Sequence, residues 1–327
     1  MGLELILPFL RPIEPLLLDE EVTEIMGNPN SSWWFEREGK LYQEKTISFD
    51  SARLLTGLEV IANQLGKRLD EDSPSLHAQL PDGSRIAAWI PPLVSPAPAL
   101  AIRKFTGRNF TMDDLIARGT LTRPLAELLT EQISSGKTLL ISGGTGTGKT
   151  TLLRVLASAI PDEERLLVIE DTPELQIQKP NIVPVASQND TFKTEVSFDT
   201  LLKGALRFRP DRIILGEVRG TEARTLLDSF NTGHAGSLAT IHANSAAKAL
   251  TRFANLVMRS HSQATFSDTE AEIAEAVDFV VHVERRPGRR MVTEVLRLNG
   301  YSRASQTYQM EHVFQAASSK IQEVKTC

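Results

Sequence analysis

The spacing of apolar residues divides the chain into two parts with different patterns. After residue 121, short apolar runs alternate with segments in which apolar residues recur every three or four positions. The runs predict buried strands and the segments predict helices, an alternation typical of an α/β domain with a parallel sheet. The tail after Gly300 is polar, and we assign it no function. We expect strands at 138–142, 166–169, 212–215 and 237–241, helices at 125–134, 152–160, 201–208, 223–230, 246–258 and 268–276, and a hairpin of 279–283 with 291–295.

Residues 1–105 show a mixed pattern that predicts a smaller α+β domain with an antiparallel sheet. Apolar residues follow a helical period in one segment, and alternating runs flank turn residues such as Pro81, Asp82 and Gly83. We place a linker at 106–120 and the second domain at 121–327. The expected helix spans 51–66, and the expected strands lie at 33–41 as a hairpin, at 76–80, at 85–90 and at 100–104.

A glycine-rich segment lies between the strand at 138–142 and the helix that follows it. It fits the pattern G-x-x-x-x-G-K-[ST], in which glycines let several backbone N–H groups point at one chain of phosphates. The dipole of the following helix adds positive potential at the same place. Lys149 is expected to reach the β- and γ-phosphates, and the Thr150 hydroxyl to bind Mg²⁺. The predicted nucleotide-binding residues of this loop are Gly143, Gly144, Thr145, Gly146, Thr147, Gly148, Lys149, Thr150 and Thr151.

Polar residues follow three further predicted strands, at the edge where ligands of open α/β sheets bind. Glu217 ends an apolar strand, where a carboxylate can hold Mg²⁺ directly or through water. Glu170 is our first choice, and Glu174 our second, for the carboxylate that orients or deprotonates the attacking water. His234 and His242 flank the third strand and could sense the γ-phosphate or relay its loss. A metal site on these histidines is set aside because no third ligand is apparent.

Composition limits the classes of protein to which the chain can belong. A net charge of −5 argues against a dedicated nucleic-acid binder, which is usually basic, and we see no dedicated nucleic-acid site. The single cysteine, Cys327, excludes an intrachain disulfide and a four-cysteine zinc site. No apolar run reaches the roughly 20 residues of a membrane span. We therefore expect a cytoplasmic protein whose contact with the inner membrane, if any, is peripheral.

Four segments in this order resemble the secretion ATPase superfamily, which powers type II and type IV secretion, conjugation and type IV pili. Residues 19–26 and the short first domain look most like the conjugal-transfer, TrbB-like branch and the type IV secretion branch. The resemblance covers most of the chain, and the four segments together are highly specific. They are the phosphate loop at 143–150, an "Asp box" at 168–175, a Walker B segment at 209–220 and a "His box" at 231–242.

The resemblance implies a RecA-like P-loop domain that binds ATP and Mg²⁺, in a homo-oligomer with the hexameric rings of this superfamily. It implies catalytic roles for Lys149, for the Asp-box Glu170 and for the Walker B Glu217, and it matches His234 and His242 to the His-box histidines. It also implies that nucleotide is held between the two domains, with linker residues 106–109 as a hinge. Arginines of the first domain would reach the phosphates, and Arg85 and Arg103 match them. The implied partners are inner-membrane secretion or conjugation components.

Three alternatives stay open at this point. The first is a pilus or type II secretion motor of the same superfamily. Many of these carry a four-cysteine zinc insertion that this chain lacks. A pilus retraction motor also lacks this insertion, so it stays open. A nucleic-acid-dependent P-loop motor is the second, and the acidic composition and absence of a basic, aromatic-rich stretch weigh against it. A nucleotide-binding scaffold without turnover is the third.

Overall fold

Two separate β-sheets organise the chain in its computed structural model. The structure describes residues 7–37, 39–105, 110–187, 196–260, 264–286 and 289–316. The chain divides into two units, Met1–Asn109 and Phe110–Cys327. Of the predicted linker, residues 106–109 lie outside the described residues. Residues 110–120 belong with the second unit instead, because Leu115 is buried in its core.

An antiparallel sheet forms the centre of the N-terminal unit. Its strands are β1 (Val22–Gly27), β2 (Trp33–Arg37), β3 (Lys40–Glu44), β4 (Ser75–Gln79), β5 (Arg85–Trp89) and β6 (Ala99–Arg103), in the order β3-β2-β1-β6-β5-β4. Two helices, α1 (Glu14–Leu18) and α2 (Ser51–Gln64), accompany it. Asp50 caps α2 by accepting the N–H of Ala52, and the apolar stripe of α2 lies in the core. The predicted α+β character of this unit is confirmed.

The C-terminal unit alternates helices and strands, as its apolar pattern predicts. Its helices are α3 (Met112–Ala117), α4 (Arg123–Ser134), α5 (Lys149–Ala157), α6 (Phe198–Ala205), α7 (Glu222–Asn231), α8 (Ala246–Met258) and α9 (Phe266–Ala276). Its strands are β7 (Leu139–Gly143), β8 (Leu166–Glu170), β9 (Ile182–Ala186), β10 (Arg212–Val218), β11 (Leu238–His242), β12 (Phe279–Arg286), β13 (Arg289–Ser302) and β14 (Thr307–Gln315).

The second sheet places the glycine-rich segment at its centre. Its order is β14-β13-β12-β7-β11-β10-β8-β9, parallel from β12 to β9 and antiparallel at β13 and β14. All five residues of β7 are buried, because helices cover both faces of the sheet. One face carries a core that includes Leu129 and Leu152, and the other a core that includes Leu226 and Phe253. The predicted α/β class is confirmed.

The structure differs from the sequence-based expectations in three elements of this sheet. Strand β9 was not expected because Pro184 lies within it, but it is an edge strand, where proline is tolerated. The polar tail forms β14, the opposite edge strand, whose residues are mostly exposed. Strand β10 continues to Val218, so Glu217 lies within the strand and not beyond its end.

None of the described helices is long and apolar enough to cross a membrane. The longest of them, α2, has 14 residues, whereas a membrane-spanning helix needs about 20.

Candidate functional site

The loop between β7 and α5 has a backbone that only glycine permits at its first position. A Cβ on Gly143 would lie 2.4 Å from the carbonyl oxygen of Val283 and 2.7 Å from Oγ1 of Thr147. Gly148 precedes α5 with a φ of 94°, in the left-handed region that favours glycine. Thr147 Oγ1 donates to the Gly144 carbonyl at 2.9 Å and closes the loop. No side chain among the described residues caps α5, so its first N–H groups and its dipole are available to an anion.

Lys149 is the first residue of α5, and its side chain turns back over the loop. Only 7% of the residue is exposed. Its Nζ donates to the Gly144 carbonyl at 2.9 Å and lies 3.4 Å from Nδ1 of His242. The ammonium group therefore joins the loop to the carboxyl end of β11, the neighbouring strand.

A chain of polar contacts continues from His242 across the next two strands. His242 Nε2 lies 3.1 Å from Oε1 of Glu217, whose Oε2 accepts a hydrogen bond of 2.8 Å from Arg219. Arg219 also lies 3.4 Å from Oδ2 of Asp171. Because β7, β11, β10 and β8 are consecutive parallel neighbours, their carboxyl ends meet at one edge. The structure thus brings together Lys149, Glu217 and His242. Their roles in nucleotide binding and catalysis stay predictions.

The imidazole of His242 is neutral at physiological pH. Burial lowers its pKa, and the charge of Lys149 lowers it further, as do those of Arg219 and Arg252, while Glu217 acts in the opposite direction. An ammonium group only donates, so Nδ1 accepts from Lys149 and the Nε2–H donates to Glu217. His242 therefore links the phosphate-loop lysine to the carboxylate of β10 through a single tautomer.

Glu170 ends β8 and has a carboxylate whose orientation is fixed. The residue is 7% exposed, and its Oε1 accepts from the N–H groups of Glu174 at 3.0 Å and of Leu175 at 2.8 Å. Its side chain packs against Gly216, where a Cβ would lie 3.3 Å from Cγ of Glu170. Glu170 is therefore held one strand away from Glu217. Glu174 is half-buried, in the turn that Glu170 holds.

His234 lies at the amino end of β11, whereas His242 lies at its carboxyl end. The five-residue strand β11, with a rise of about 3.3 Å per residue, lies between the two ends. His234 Nδ1 contacts the Ser229 carbonyl at 3.1 Å. The two histidines therefore occupy opposite edges of the sheet, on either side of the strand that was predicted between them. A catalytic role for His234 stays a prediction.

Arg85 and Arg103 lie side by side in the N-terminal unit. They are directly paired across β5 and β6, in a row with Gln79 on one side and Glu24 on the other. Arg103 Nε is 3.9 Å from Oε1 of Glu24. Like charges directly opposite each other in an antiparallel pair destabilise a sheet, so this row concentrates positive charge at a cost in stability.

Two side chains at the loop escaped sequence reasoning. Arg290 of β13 donates from Nε to the Gly146 carbonyl at 2.9 Å. His282 of β12 is 3% exposed, and its Nδ1 lies 2.8 Å from Oγ of Ser142. Burial lowers the pKa of His282. The sequence contained a signal for each residue: His282 lies inside an apolar run, and Arg290 is one of the arginines that flank the predicted turn. The turn residues 287–288 themselves lie outside the described residues.

Known proteins are similar to this chain in sequence. Residues 10–324 match the family model described as "Type II/IV secretion system protein". The conjugal transfer protein TrbB of Rhizobium radiobacter is 37% identical over 303 residues, 91% of this chain and 89% of the relative. The type IV secretion system protein VirB11 of Bartonella quintana is 31% identical over 330 residues, 89% of this chain and 92% of the relative.

Solved structures share the fold at lower identity. The ATPase DotB of Legionella pneumophila has a TM-score of 0.63 at 19% identity, over 91% of this chain and 81% of its own. The pilus retraction motor PilT with bound ADP has a TM-score of 0.61 at 16% identity, over 96% of this chain and 83% of its own.

Proposed function

The chain belongs to the type II/IV secretion system protein family, and we propose that it is an ATPase motor of conjugal transfer or type IV secretion. The contact of Lys149 with His242, and of His242 with Glu217, carries this proposal, because it links a phosphate-binding loop to the strand ends beside it. The names of the relatives that are at least 30% identical support the biological setting. The likeness to PilT, at 16% identity, supports the fold alone.

The residues at the loop fit a nucleotide with a magnesium ion. The uncapped start of α5 and the Lys149 ammonium would hold the β- and γ-phosphates. Thr150 in the first turn of α5 and Glu217 would hold Mg²⁺, for which hydroxyl and carboxylate oxygens are suitable ligands. A bound magnesium ion would neutralise charge on the phosphates during transfer.

Glu170 is the proposed base that orients or deprotonates the attacking water. Two backbone N–H groups already hold its carboxylate, so little reorganisation precedes the reaction. The guanidinium groups of Arg85 and Arg103 would stabilise the negative charge of the transferring phosphoryl group. Loss of the γ-phosphate would change the position of Lys149. His242 would transmit this change to Glu217, since it contacts both residues. A hexameric ring, with peripheral contact to inner-membrane components, completes the proposal.

Two substitutions test the hydrolytic site with one matched control. We expect Lys149→Ala to abolish ATP binding, and Glu170→Gln to lower turnover about 100-fold or more while binding persists. Glu174→Gln is the control, because the backbone of Glu174, and not its carboxylate, donates to Glu170. Absence of turnover in the unmodified chain would indicate a scaffold, and unchanged turnover in Glu170→Gln would transfer the role to Glu174.

Addition of DNA distinguishes the proposed motor from a nucleic-acid-dependent P-loop motor. The proposed motor should hydrolyse ATP at a rate that DNA does not change. A strong, salt-sensitive stimulation by DNA would instead indicate a nucleic-acid-dependent motor.

A further inference from the structure

A groove of about 700 Å³ lies beside the phosphate loop and has no assigned role. Gly144 and His242 form one end of it, and the exposed face of α8 forms its wall. That face presents Lys248, Arg252 and Arg259, which we call the basic stripe. The groove therefore joins the nucleotide site to a positively charged surface.

The charges of the basic stripe are not balanced by nearby carboxylates. Within the described part of the chain, Lys248, Arg252 and Arg259 form no ion pair, and no residue that lines the groove is acidic. Helix α8 contains no aspartate or glutamate at all. A solvated helix face usually mixes both signs, and this chain is acidic overall, so an unmixed basic stripe points to an anionic partner.

The dimensions and lining of the groove favour an acidic polypeptide as that partner. From Lys248 to Arg259 the stripe runs about 16 Å along the axis of α8, too long for one phosphate group. Among the described residues, no phenylalanine, tyrosine or tryptophan lines the groove, so it lacks the broad aromatic faces on which bases of single-stranded nucleic acid stack.

We propose that the basic stripe docks the loop at residues 19–21 of a second copy of this chain. Glu20 and Glu21 are exposed in this loop, and neither forms an ion pair within the described residues. Asp19 is already paired with Arg37. Leu18 beside the loop is 59% exposed, and the groove offers the half-buried Met258 as an apolar contact.

The docked copy would complete the surroundings of the nucleotide site. Its carboxylates would lie at the groove whose other end is formed by Gly144 and His242. Docking of one copy would thus depend on whether nucleotide occupies the phosphate loop of the copy that it contacts. This inference rests on the proposed self-assembly of the chain but not on hydrolysis, so its test measures mass and not turnover.

Two charge-reversal variants test the contact. In Arg252→Glu/Arg259→Glu and in Glu20→Lys/Glu21→Lys, both surfaces of the contact carry the same sign. Each variant alone should need at least about a tenfold higher concentration to assemble than the unmodified chain. An equimolar mixture should restore assembly, because in alternating copies every stripe then faces a loop of opposite charge. Light scattering with Mg²⁺ and a non-hydrolysable ATP analogue measures the mass.

The control is Arg53→Glu/Arg207→Glu, which changes the charge equally at two exposed residues outside the groove. It should assemble as the unmodified chain does, and circular dichroism confirms that each variant is folded. The inference is overturned if the unmodified chain is monomeric throughout, if the variants assemble normally, or if the mixture stays unassembled. Loss of oligonucleotide binding in Arg252→Glu/Arg259→Glu with assembly unchanged would assign the stripe to nucleic acid instead.

Discussion

The two edges of the parallel sheet each bury a cation, and they treat it differently. At the amino edge, Arg212 is 2% exposed, forms a two-armed ion pair with Glu164 and donates to the carbonyls of Ile133 and Gly236. At the carboxyl edge, Lys149 begins α5, where the positive end of the helix dipole disfavours a cation. Arg212 thus stabilises the fold, whereas Lys149 reduces stability at a place where an anion would restore it.

Removal of Arg212 should have the largest effect on stability. Arg212→Met leaves Glu164 without its ion-pair partner and removes one donor from each of two buried carbonyls, and we expect a loss of about 3 kcal/mol in the free energy of unfolding. Urea unfolding followed by circular dichroism measures this loss. Tryptophan fluorescence would not report on the C-terminal unit, because all three tryptophans lie in the N-terminal unit. Arg123→Met, which breaks an exposed pair with Asp113, should cost under about 1 kcal/mol. Equal losses in the two variants would contradict the role given to Arg212.

The tight packing of the carboxyl edge should show next. Gly143→Ala forces a Cβ against the backbone carbonyl of Val283, so we expect a loss of about 1–3 kcal/mol together with weaker ATP binding. Gly144→Ala is the matched control, because its Cβ would meet only Thr147 Cγ2 at 3.7 Å. Thermal unfolding and nucleotide titration report both effects. Similar behaviour of the two alanine variants would show that the loop relaxes freely.

The buried histidines of the carboxyl edge should make stability depend on pH. Burial lowers the pKa of His282 and of His242 in the folded chain. Near pH 7 both are neutral, folded or unfolded, and their full contribution is present. Below about pH 6.5 the unfolded chain takes up protons that the folded chain does not, so stability falls as the pH falls. In His282→Asn, urea unfolding between pH 7 and pH 5 should show a smaller fall; an unchanged fall would exclude His282 as a cause.

Replacement of Lys149 should have the smallest effect on stability, and this sharpens the contrast with Arg212. Lys149→Met removes a cation from the start of α5, so the free energy of unfolding should stay unchanged or rise by up to about 1 kcal/mol. The same variant should not bind ATP, which calorimetry measures. A destabilisation as large as that of Arg212→Met would mean that Lys149 is a structural cation.

Much of the carboxyl edge could be predicted because its signals are local in the chain. The glycine spacing, the apolar run before it and the helical period after it place Lys149 at the start of a helix. Apolar strands ending in polar residues placed Glu170, Glu217 and His242 at one edge, since parallel strands share their carboxyl ends. Edge strand β9 was missed because Pro184 interrupts its apolar run, and β14 was missed because its mostly exposed residues lack an apolar pattern.

By itself, the sequence determined the α/β class, the phosphate loop and the positions along the chain of the strands that carry the site, because periodicity and glycine spacing act over a few residues. Only the tertiary structure decided which side chains meet. It placed Arg290 and His282 at the loop, and it aligned Lys248 and Arg252 of α8, with Arg259 at the end of this helix, beside the loop. Such contacts depend on strand order and register, which join residues far apart in the chain.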